Sequence, residues 1–549
     1  MVNAWDNLLF GVMAMIKLLD CTLRDGSYIN GANFGSETIR GIIKRLQDAK
    51  VEIIECGWLK NDPHKAGSSY FHVPDDLKLY LDNKDSNVTY VTMIDWDRYN
   101  LDYLPQYDGQ SVDAVRVVFP RGKARDGLEV ASKIRDKGYR IYCQAANTLG
   151  YSDRELLDLI DEANRIRPEG ISIVDTFGAM YPDDLERILS IFVHNLHPSI
   201  KIGFHSHNNQ QLSFALTIQF VRRMTEQGRD IIVDSSLCGM GRGAGNATTE
   251  LVTSFLNKKY YGNYDLDLIM DTIDMYMVPF QEKYSWGYSI PNYIAGMYCS
   301  HVNNIDYLLK KHRANVKEIR CVISSLKPEE RVHYDYDLLE QRYIENQNNE
   351  IDDEKTLEYL SSQLKDREVL LIAPGRSVVE DKSGIERYIR DHNPVVIGVN
   401  AVIPLYRYDY LYLMSQVRYD YAKEAYPQQF SCTPKILLSN IKTDSLQDVY
   451  SVRYERAIKR GWKHFDNAVI CMLRLLNKLN VRKVAVAGFD EFSEKYNESY
   501  ADPKLPTVHG VEDWDKFNEE LKEIFSDLKL RVNENMEISM LTETKLVNK

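Results

Sequence analysis

Two short segments of the chain carry side chains of the types that bind a divalent metal ion. Arg24 and Asp25 follow an apolar run near the amino terminus, and His205 and His207 end another such run. Residues two apart on a strand point to the same side, so both imidazoles face one point. Two histidines and a carboxylate form a facial triad that leaves positions open for a substrate. We predict a metal site here; the alternatives are a surface ion pair and solvated histidines.

A glycine-rich segment, residues 239–246, supplies a third group. Its four glycines alternate with other residues and let the backbone approach a ligand closely. Asn246, at its end, is predicted to cap the helix that follows. Such a segment either binds a phosphate or carboxylate or makes a turn. The segment follows the apolar run 230–235, which we predict to be a strand next to the metal site, and this position favours binding of a ligand.

These groups must be positioned by a repeat of strands and helices. Apolar β-branched runs alternate with stretches of helical period, such as Ile39, Ile42, Ile43 and Leu46. Eight runs are near-continuously apolar, as strands covered on both faces are; they are residues 16–19, 51–56, 88–94, 114–119, 140–145, 170–174, 201–204 and 230–235. Their number and spacing predict an α/β fold, a (β/α)₈ TIM barrel, with a doubly wound sheet as the alternative. In a barrel the residues following the strands meet at the catalytic end.

The pattern along the chain predicts several further parts. The apolar segment 1–15 lacks a basic region and is interpreted as a leader, too short to cross a membrane. The predicted parts are the barrel at 16–258, a helical appendage at 259–343, an acidic linker or solvated helix start at 344–366, and a Rossmann-like α/β domain at 367–549.

Composition narrows the function classes. The chain has 549 residues, of which 44% are hydrophobic, enough for more than one core. Its 68 basic and 80 acidic residues give a net charge of -12, which argues against nucleic-acid wrapping. The eight cysteines form no CxxC pair, so we expect reduced thiols and a cytoplasmic enzyme.

Three motifs together resemble the DRE-TIM metallolyase superfamily over residues 16–325. They are Thr22-Leu23-Arg24-Asp25-Gly26, His205-Ser206-His207 and the run from Gly241 to Asn246. The superfamily includes lyases, synthases and the 4-hydroxy-2-oxovalerate aldolases. The helical segments 278–281 and 295–300 are most similar to the aldolase branch.

The resemblance implies roles for named residues. Mn²⁺ or Mg²⁺ would be held by Asp25, His205, His207 and, as in the lyase and synthase branches, Asn246. Arg24 would stabilise an enolate, and Thr176 and Tyr298 would lie in the substrate pocket. Tyr28 stands where the aldolases have an acid/base histidine, and it would need a lowered pKa to act as a base.

The same resemblance implies a reaction and its partners. We expect a carbon–carbon lyase that acts on a 2-oxo acid such as pyruvate and an aldehyde, and that forms a homo-oligomer. The alternative within catalysis is an acyl-CoA-dependent synthase or lyase.

The second domain resembles bacterial CMP-sialic-acid-dependent sialyltransferases through short motifs. A strand, a glycine turn and a serine at a helix start suit a phosphate. By resemblance a nucleotide or nucleotide-sugar would contact Gly375, Ser377, Asn400 and Asp490, with His509 as general base and Tyr496 or Tyr500 near the phosphate. The alternatives are a structural turn, a domain that binds without transfer, and a glycosyltransferase whose barrel is a relic. Fusion to such a domain suggests carbohydrate or surface-glycan metabolism.

Overall fold

The computed structural model describes residues 14–312, 314–348, 351–443, 447–493, 499–506, 513–532 and 536–547. The chain divides into two compact units. The first runs to Ile305 and includes Pro328–His333, and the second comprises Asp306–Lys327 and Tyr334–Lys549. Most of the predicted leader, residues 1–13, lies outside the described residues.

The first unit is a closed parallel barrel, as predicted. Within its described residues the strands are β1 Ile16–Asp20, β2 Ile53–Leu59, β3 Tyr70–Phe71, β4 Thr89–Asp95, β5 Ala114–Phe119, β6 Arg140–Ala145, β7 Gly170–Asp175, β8 Lys201–Ser206 and β9 Ile231–Ser235. The sheet order is β1-β9-β8-β7-β6-β5-β4-β2-β3, and pairing of β1 with β2 closes the ring. The short strand β3 pairs only with the end of β2. The eight ring strands therefore coincide with the eight predicted runs.

Helices surround this barrel and cap its ends. Those from residue 22 to 307 are α1 Thr22–Asp25, α2 Ser27–Asn30, α3 Ser36–Asp48, α4 Ala124–Asp136, α5 Asp153–Ile166, α6 Pro182–Asn195, α7 Ser213–Glu226, α8 Thr249–Tyr260, α9 Leu266–Thr272, α10 Val278–Lys283, α11 Ile290–Met297 and α12 Val302–Tyr307. Helix α3 buries the predicted face of Ile39, Ile42, Ile43 and Leu46 in the main core. Short 3₁₀ turns lie at Pro74–Tyr80, Leu101–Tyr103, Thr148–Gly150 and Leu237–Gly239, and π-helical turns at Ile273–Met277 and Leu308–His312.

The second unit contains a parallel sheet of Rossmann-like order. Its described strands are β10 Glu368–Ile372, β11 Val395–Val399, β12 Tyr410–Leu413, β13 Lys435–Leu438, β14 Val449–Val452, β15 Lys483–Ala487 and β16 Glu537–Met540. They are ordered β14-β13-β12-β11-β10-β15-β16. Strand β10 is thus central, and the chain builds outward from it in both directions, as in doubly wound folds.

Helices pack on both faces of this sheet. The remaining helices of the second unit are α13 Val316–Ser325, α15 Tyr336–Asn348, α16 Glu354–Leu364, α17 Ser377–Glu380, α18 Lys382–His392, α19 Gln416–Ala425, α20 Pro427–Cys432, α21 Tyr454–Ala457, α22 Ala468–Lys478 and α23 Trp514–Arg531. Helix α14 Pro328–Arg331 belongs to the first unit. Leu371 packs in a core with α22 and α23, whereas Leu370 packs in another with Ile385 of α18. Among the described helices, none is both long enough and apolar enough to cross a bilayer.

The structure differs from the predicted acidic linker at 344–366. Helix α16 occupies much of it, and its Leu360 and Leu364 are fully buried in the core of the second unit. The many acidic residues make this stretch look solvated in the sequence. Leu360 and Leu364 are four residues apart and therefore lie on the same face of α16, which makes the helix amphipathic. The segment is part of the second unit rather than a connection to it.

Leu364→Ala tests this assignment. We expect a loss of about 2–5 kcal/mol from the free energy of unfolding of the second unit, because the change leaves a cavity in its core. Hydrogen exchange followed by mass spectrometry should become faster in β10 and β11, with β1 and β9 unchanged. Gln363→Ala, at an exposed neighbouring position, is the matched control. Equal exchange in both variants would contradict the assignment.

Candidate metal centre

The structure brings the three predicted metal ligands together at the carboxyl end of the barrel strands. Asp25 ends α1, directly after β1, while His205 lies in β8 and His207 follows it. All three side chains are buried, and one ligand atom from each lies within 4.8 Å of the others. His205 Nε2 is 3.8 Å from Asp25 Oδ2. This spacing suits one divalent ion.

A carboxylate behind His205 orients its ring. Asp234 Oδ2, on β9, lies 3.0 Å from His205 Nδ1, so Nε2 is the nitrogen that faces Asp25. Carboxylate–histidine pairs of this kind fix the tautomer and orientation of metal-binding histidines. Asp234 is itself held by Arg116 Nη2 at 2.5 Å.

The pairing continues from Arg116 through the barrel interior. Arg116 Nη1 is 3.3 Å from Glu55 Oε1, and Glu55 Oε2 is 2.7 Å from Arg24 Nε. Arg24 Nη1 in turn lies 2.7 Å from Asp25 Oδ1. The three carboxylates outnumber the two guanidinium groups by one, and all five groups are buried. A buried excess of negative charge favours a bound cation, which fits the predicted metal.

Asp25 and His207 are in the protonation states that a bound metal requires. Burial alone would raise the pKa of Asp25, but Arg24 and the imidazoles hold it well below its usual range. Burial lowers the pKa of His207 to about 3, so its imidazole is neutral near pH 7. His207 Nδ1 is buried without a hydrogen-bond partner among the described residues. The donor set therefore fits a divalent ion.

Asn246 lies in this site, but it does not cap a helix. Helix α8 begins three residues later, at Thr249, and the Asn246 side chain turns inward, with Nδ2 2.5 Å from Asp25 Oδ2. Its Oδ1 is buried and has no partner among the described residues. Gly245 makes this turn possible: its φ is +80°, and a Cβ there would lie 1.9 Å from the Gly239 carbonyl oxygen. The glycine segment serves to bring Asn246 to Asp25.

Arg24 has one nitrogen left over for a ligand. Its Nε and Nη1 are paired with carboxylates, whereas Nη2 is buried and has no partner among the described residues. An unpaired, buried guanidinium N–H beside a metal site suits an anionic oxygen of a substrate.

Tyr28 and Arg242 form part of the rim above these groups. The Tyr28 ring stacks edge-on against Trp58, and the Arg242 guanidinium carbon lies 3.8 Å from its centroid. Desolvation raises the pKa of Tyr28 despite Arg242, the opposite of the shift that a base requires. His301 Nε2 lies 3.3 Å from Arg242 Nη1, and burial lowers the pKa of His301 to about 3. A neutral phenol and a neutral imidazole thus flank one guanidinium.

The two predicted substrate residues lie on segments around the same end of the barrel. Thr176 follows β7, and its Oγ1 accepts a hydrogen bond from Asn147 N at 2.7 Å. Tyr298 follows α11, and the guanidinium carbon of Arg331 lies 5.1 Å from its ring centroid. Among the described residues, no hydrogen bond joins Tyr298 to the metal ligands. Their contact with a substrate stays a prediction.

In the second unit, the predicted nucleotide residues are brought to one cleft. Gly375, Asn400, Asp490 and Tyr500 line it. Ser377 instead bonds with Asp490, whose carboxylate accepts from both its N–H and its hydroxyl. Tyr496 and His509 lie outside the described residues.

Sequence reasoning missed the charges inside the barrel. Glu55, Arg116 and Asp234 each stand alone within an otherwise apolar strand. A single charge in a strand covered on both faces is the signal that would have found them, because burial there requires a partner.

Comparisons with known proteins find relatives of the first unit. The first unit is an eight-stranded parallel barrel, and a candidate metal triad lies at the carboxyl end of its strands. These features define its class as a TIM barrel with a candidate metal centre. Residues 120–275 match the HMGL-like family, so the chain contains an HMGL-like domain.

Similar proteins match about half of the chain. A 4-hydroxy-2-oxovalerate aldolase of Thermomicrobium roseum is 28% identical over 279 residues, covering 48% of this chain and 73% of that protein. An oxaloacetate decarboxylase of Mycobacterium tuberculosis is 24% identical over 258 residues, covering 46% and 74%. The crystal structure of the HMG-CoA lyase of Bacillus subtilis has 16% identity and a TM-score of 0.38, covering 50% of this chain and 94% of that one.

Asp234→Asn tests the support of His205. The amide cannot serve both His205 and Arg116 as the carboxylate does, so we expect the affinity for Mn²⁺ to fall about 10–100-fold. Isothermal titration with Mn²⁺ measures this, and circular dichroism checks the fold. Asp161→Asn, at an exposed position on α5, is the control. Unchanged affinity in Asp234→Asn would show that the pair does not orient a metal ligand.

We expect the stability of the protein to depend on pH through Asp175, the buried carboxyl group next to Thr176. Burial raises the pKa of Asp175 to about 7, although Ala179 N and Met180 N donate hydrogen bonds to it. Because the folded state holds this proton more tightly than the unfolded state, its stabilising effect is present at low pH and is lost as pH rises from about 4 through 7. Between pH 5 and 8, the unfolding free energy should therefore fall more steeply in the native protein than in Asp175→Asn. Parallel curves from urea unfolding would contradict this.

Proposed function

We propose that this protein is a divalent-metal-dependent aldolase. It forms or cleaves a 4-hydroxy-2-oxo acid through the enolate of pyruvate or a similar 2-oxo acid. Relatives named 4-hydroxy-2-oxovalerate aldolase and oxaloacetate decarboxylase support the proposal, as does the HMGL-like match. Mn²⁺ or Mg²⁺ is the ion we propose, as the resemblance to the DRE-TIM superfamily implies.

One observation carries the proposal: a buried guanidinium nitrogen that has no hydrogen-bond partner among the described residues lies on the residue before Asp25 of the candidate metal triad. Arg24 Nη2 is that nitrogen, and its neighbour Asp25 belongs to the triad. A divalent ion bound there would act as a Lewis acid toward the carbonyl of a 2-oxo acid. Arg24 binds the oxygen on which negative charge develops, and the pairing of its other nitrogens with Asp25 and Glu55 holds it in place before the reaction.

In the cleavage direction, the bond between C3 and C4 of the substrate breaks. The C4 hydroxyl loses its proton and becomes the aldehyde carbonyl, while the bonding electron pair moves to C3 and gives the enolate. A proton then adds to C3 to give the 2-oxo acid. Condensation is the reverse.

We assign the hydroxyl proton to the rim group of Tyr28, Arg242 and His301. The raised pKa of Tyr28 keeps its phenol protonated, so it donates a hydrogen bond to the C4 oxygen in both directions. The imidazole of His301 is neutral near pH 7, so it takes the hydroxyl proton in the cleavage direction and returns the same proton in condensation. Arg242 lies against both side chains and lowers the cost of negative charge between them.

We further propose a cytoplasmic role in carbohydrate or surface-glycan metabolism, with a sugar-derived aldehyde as the second reactant. The support is the Rossmann-like order of the sheet in the second unit. Such sheets bind nucleotides in many proteins.

Exchange of the pyruvate methyl protons in D₂O tests the proposed enolate. Native protein with Mg²⁺ should incorporate deuterium, and mass spectrometry of pyruvate measures the rate. His205→Ala should abolish exchange, and Arg24→Lys should slow it about 100–1,000-fold, because one donor to the oxyanion is lost. Arg125→Lys, at an exposed position on α4, is the control.

Two results would contradict the proposal. One is exchange that persists in His205→Ala or without a divalent ion. The other is turnover that requires acetyl-CoA, which would favour an acyl-CoA-dependent synthase or lyase. With the native protein, condensation of pyruvate with a panel of sugar aldehydes then identifies the second reactant.

A further inference from the structure

The second unit has a cleft at the carboxyl end of its sheet. Strands β10 and β15 are neighbours there, and the chain extends the sheet away from them on both sides. Ligands of doubly wound folds bind at this kind of position, outside the carboxyl ends of the strands where the strand order reverses. The cleft encloses about 740 Å³, including space open to solvent.

The glycine turn after β10 does not offer this cleft an anion-binding loop. Its backbone donors are already used: Ala373 N donates to Ala487 O, Gly375 N to Gly488 O and Arg376 N to Ser499 O. Ser377 N donates to Asp490 Oδ2, and its hydroxyl bonds to the same carboxylate. The turn therefore closes on β15 and its following loop. An anion in the cleft needs another partner.

Arg418 is that partner. It lies on α19, lines the cleft and is only 3% exposed. Its Nε and Nη1 are buried without a hydrogen-bond partner among the described residues, and no ion pair there involves it. Its guanidinium carbon lies 5.0 Å from the Tyr500 ring centroid. A buried guanidinium that lacks a counter-charge is costly, and a bound anion removes that cost.

The other lining groups restrict what the anion is attached to. Asp466, Asp490 and Glu491 are carboxylates, which repel a highly charged ligand and accept hydrogen bonds from hydroxyl groups. Asn400 lines the same cleft in the left-handed conformation, with φ of +55°. Its Oδ1 accepts from Met414 N at 3.3 Å, and its Nδ2 donates none of the hydrogen bonds found among the described residues. Phe492 and Tyr500 add aromatic surface for a planar group.

We propose that this cleft binds a nucleoside monophosphate, free or as part of a nucleotide-sugar, with Arg418 as the group that binds its phosphate. The guanidinium fork matches phosphate oxygens in a bidentate manner. The carboxylates receive ribose hydroxyls, and the base lies against the aromatic side chains. A single phosphate suits one guanidinium, whereas a triphosphate would bring its additional charges close to Asp466 and Asp490.

Binding measurements with the full-length protein test this site. The probes are AMP, GMP, CMP and UMP, each compared with its nucleoside, with its triphosphate and with inorganic phosphate. We expect at least one monophosphate to bind more tightly than its nucleoside, its triphosphate or phosphate alone. The matching nucleotide-sugar separates the two sources: it binds more tightly than the free monophosphate if the sugar is also recognised, and equally if only the monophosphate is.

Arg418→Met isolates the phosphate contact. It removes the charge but keeps the volume, and replacing a buried unpaired charge with an apolar side chain is compatible with folding. Affinity for the monophosphate should fall about tenfold or more, with nucleoside affinity unchanged. Arg418→Lys keeps the charge without the fork and should bind with intermediate affinity. Arg390→Met, 72% exposed on α18, is the control.

The outcomes separate this site from the barrel. His205→Ala should leave nucleotide binding unchanged, so failure of the aldolase proposal and failure of this one are distinguishable. Absence of binding by all four monophosphates, or equal affinity in the native protein and Arg418→Met, would overturn the proposal. Phosphate alone binding as tightly as every monophosphate would overturn the nucleoside assignment.

Discussion

A chain of alternating charges through the barrel interior is the constraint on which the candidate metal centre depends. Asp25, Arg24, Glu55, Arg116 and Asp234 are paired in that order, and His205 ends the series. Each buried charge has a partner of opposite sign, which offsets the desolvation that would otherwise exclude it. Because these residues come from β2, β5, β9 and the segment after β1, the ion pairs also require the strands to keep one register.

The barrel interior is therefore built in two layers with different chemistry. Near the amino ends of the strands, apolar side chains such as Ile53, Val91 and Ala114 fill the space, as in most TIM barrels. Above them, Glu55, Arg116 and Asp234 replace apolar residues one pleat later along their strands. The apolar layer excludes water from below, which strengthens the charge pairs. Burial alone would raise the pKa of Asp25, but Arg24 and the imidazoles lower it. The metal ligands Asp25 and His205 are thus held by the paired charges of this second layer.

Most of the barrel and the metal triad were predictable because their signals are local. A run of apolar residues defines a strand, and a spacing of two places His205 and His207 on one side of it. The residues after Asn246 resemble a helix start and predict that it caps a helix. In the structure its side chain instead contacts Asp25, which lies far away in the sequence. The bonding of the turn at Gly375 depends on residues more than a hundred positions away, so no local pattern reveals it. Arg418 was missed for the same reason, since on a helix beside Gln416 and Asp420 it has the pattern of a solvated side chain.

Unpaired charge is a better guide to the two sites than motif similarity. In the first unit, three buried carboxylates against two guanidinium groups leave a negative excess beside His205 and His207, a balance that a cation corrects. In the second unit, Nε and Nη1 of Arg418 are buried without a hydrogen-bond partner among the described residues, which an anion would correct. Both charges lie at the carboxyl ends of parallel strands, where side chains converge without blocking one another. A charge that is buried without a partner within the described residues has a cost in the free protein, and the ligand that removes this cost is the one the site favours.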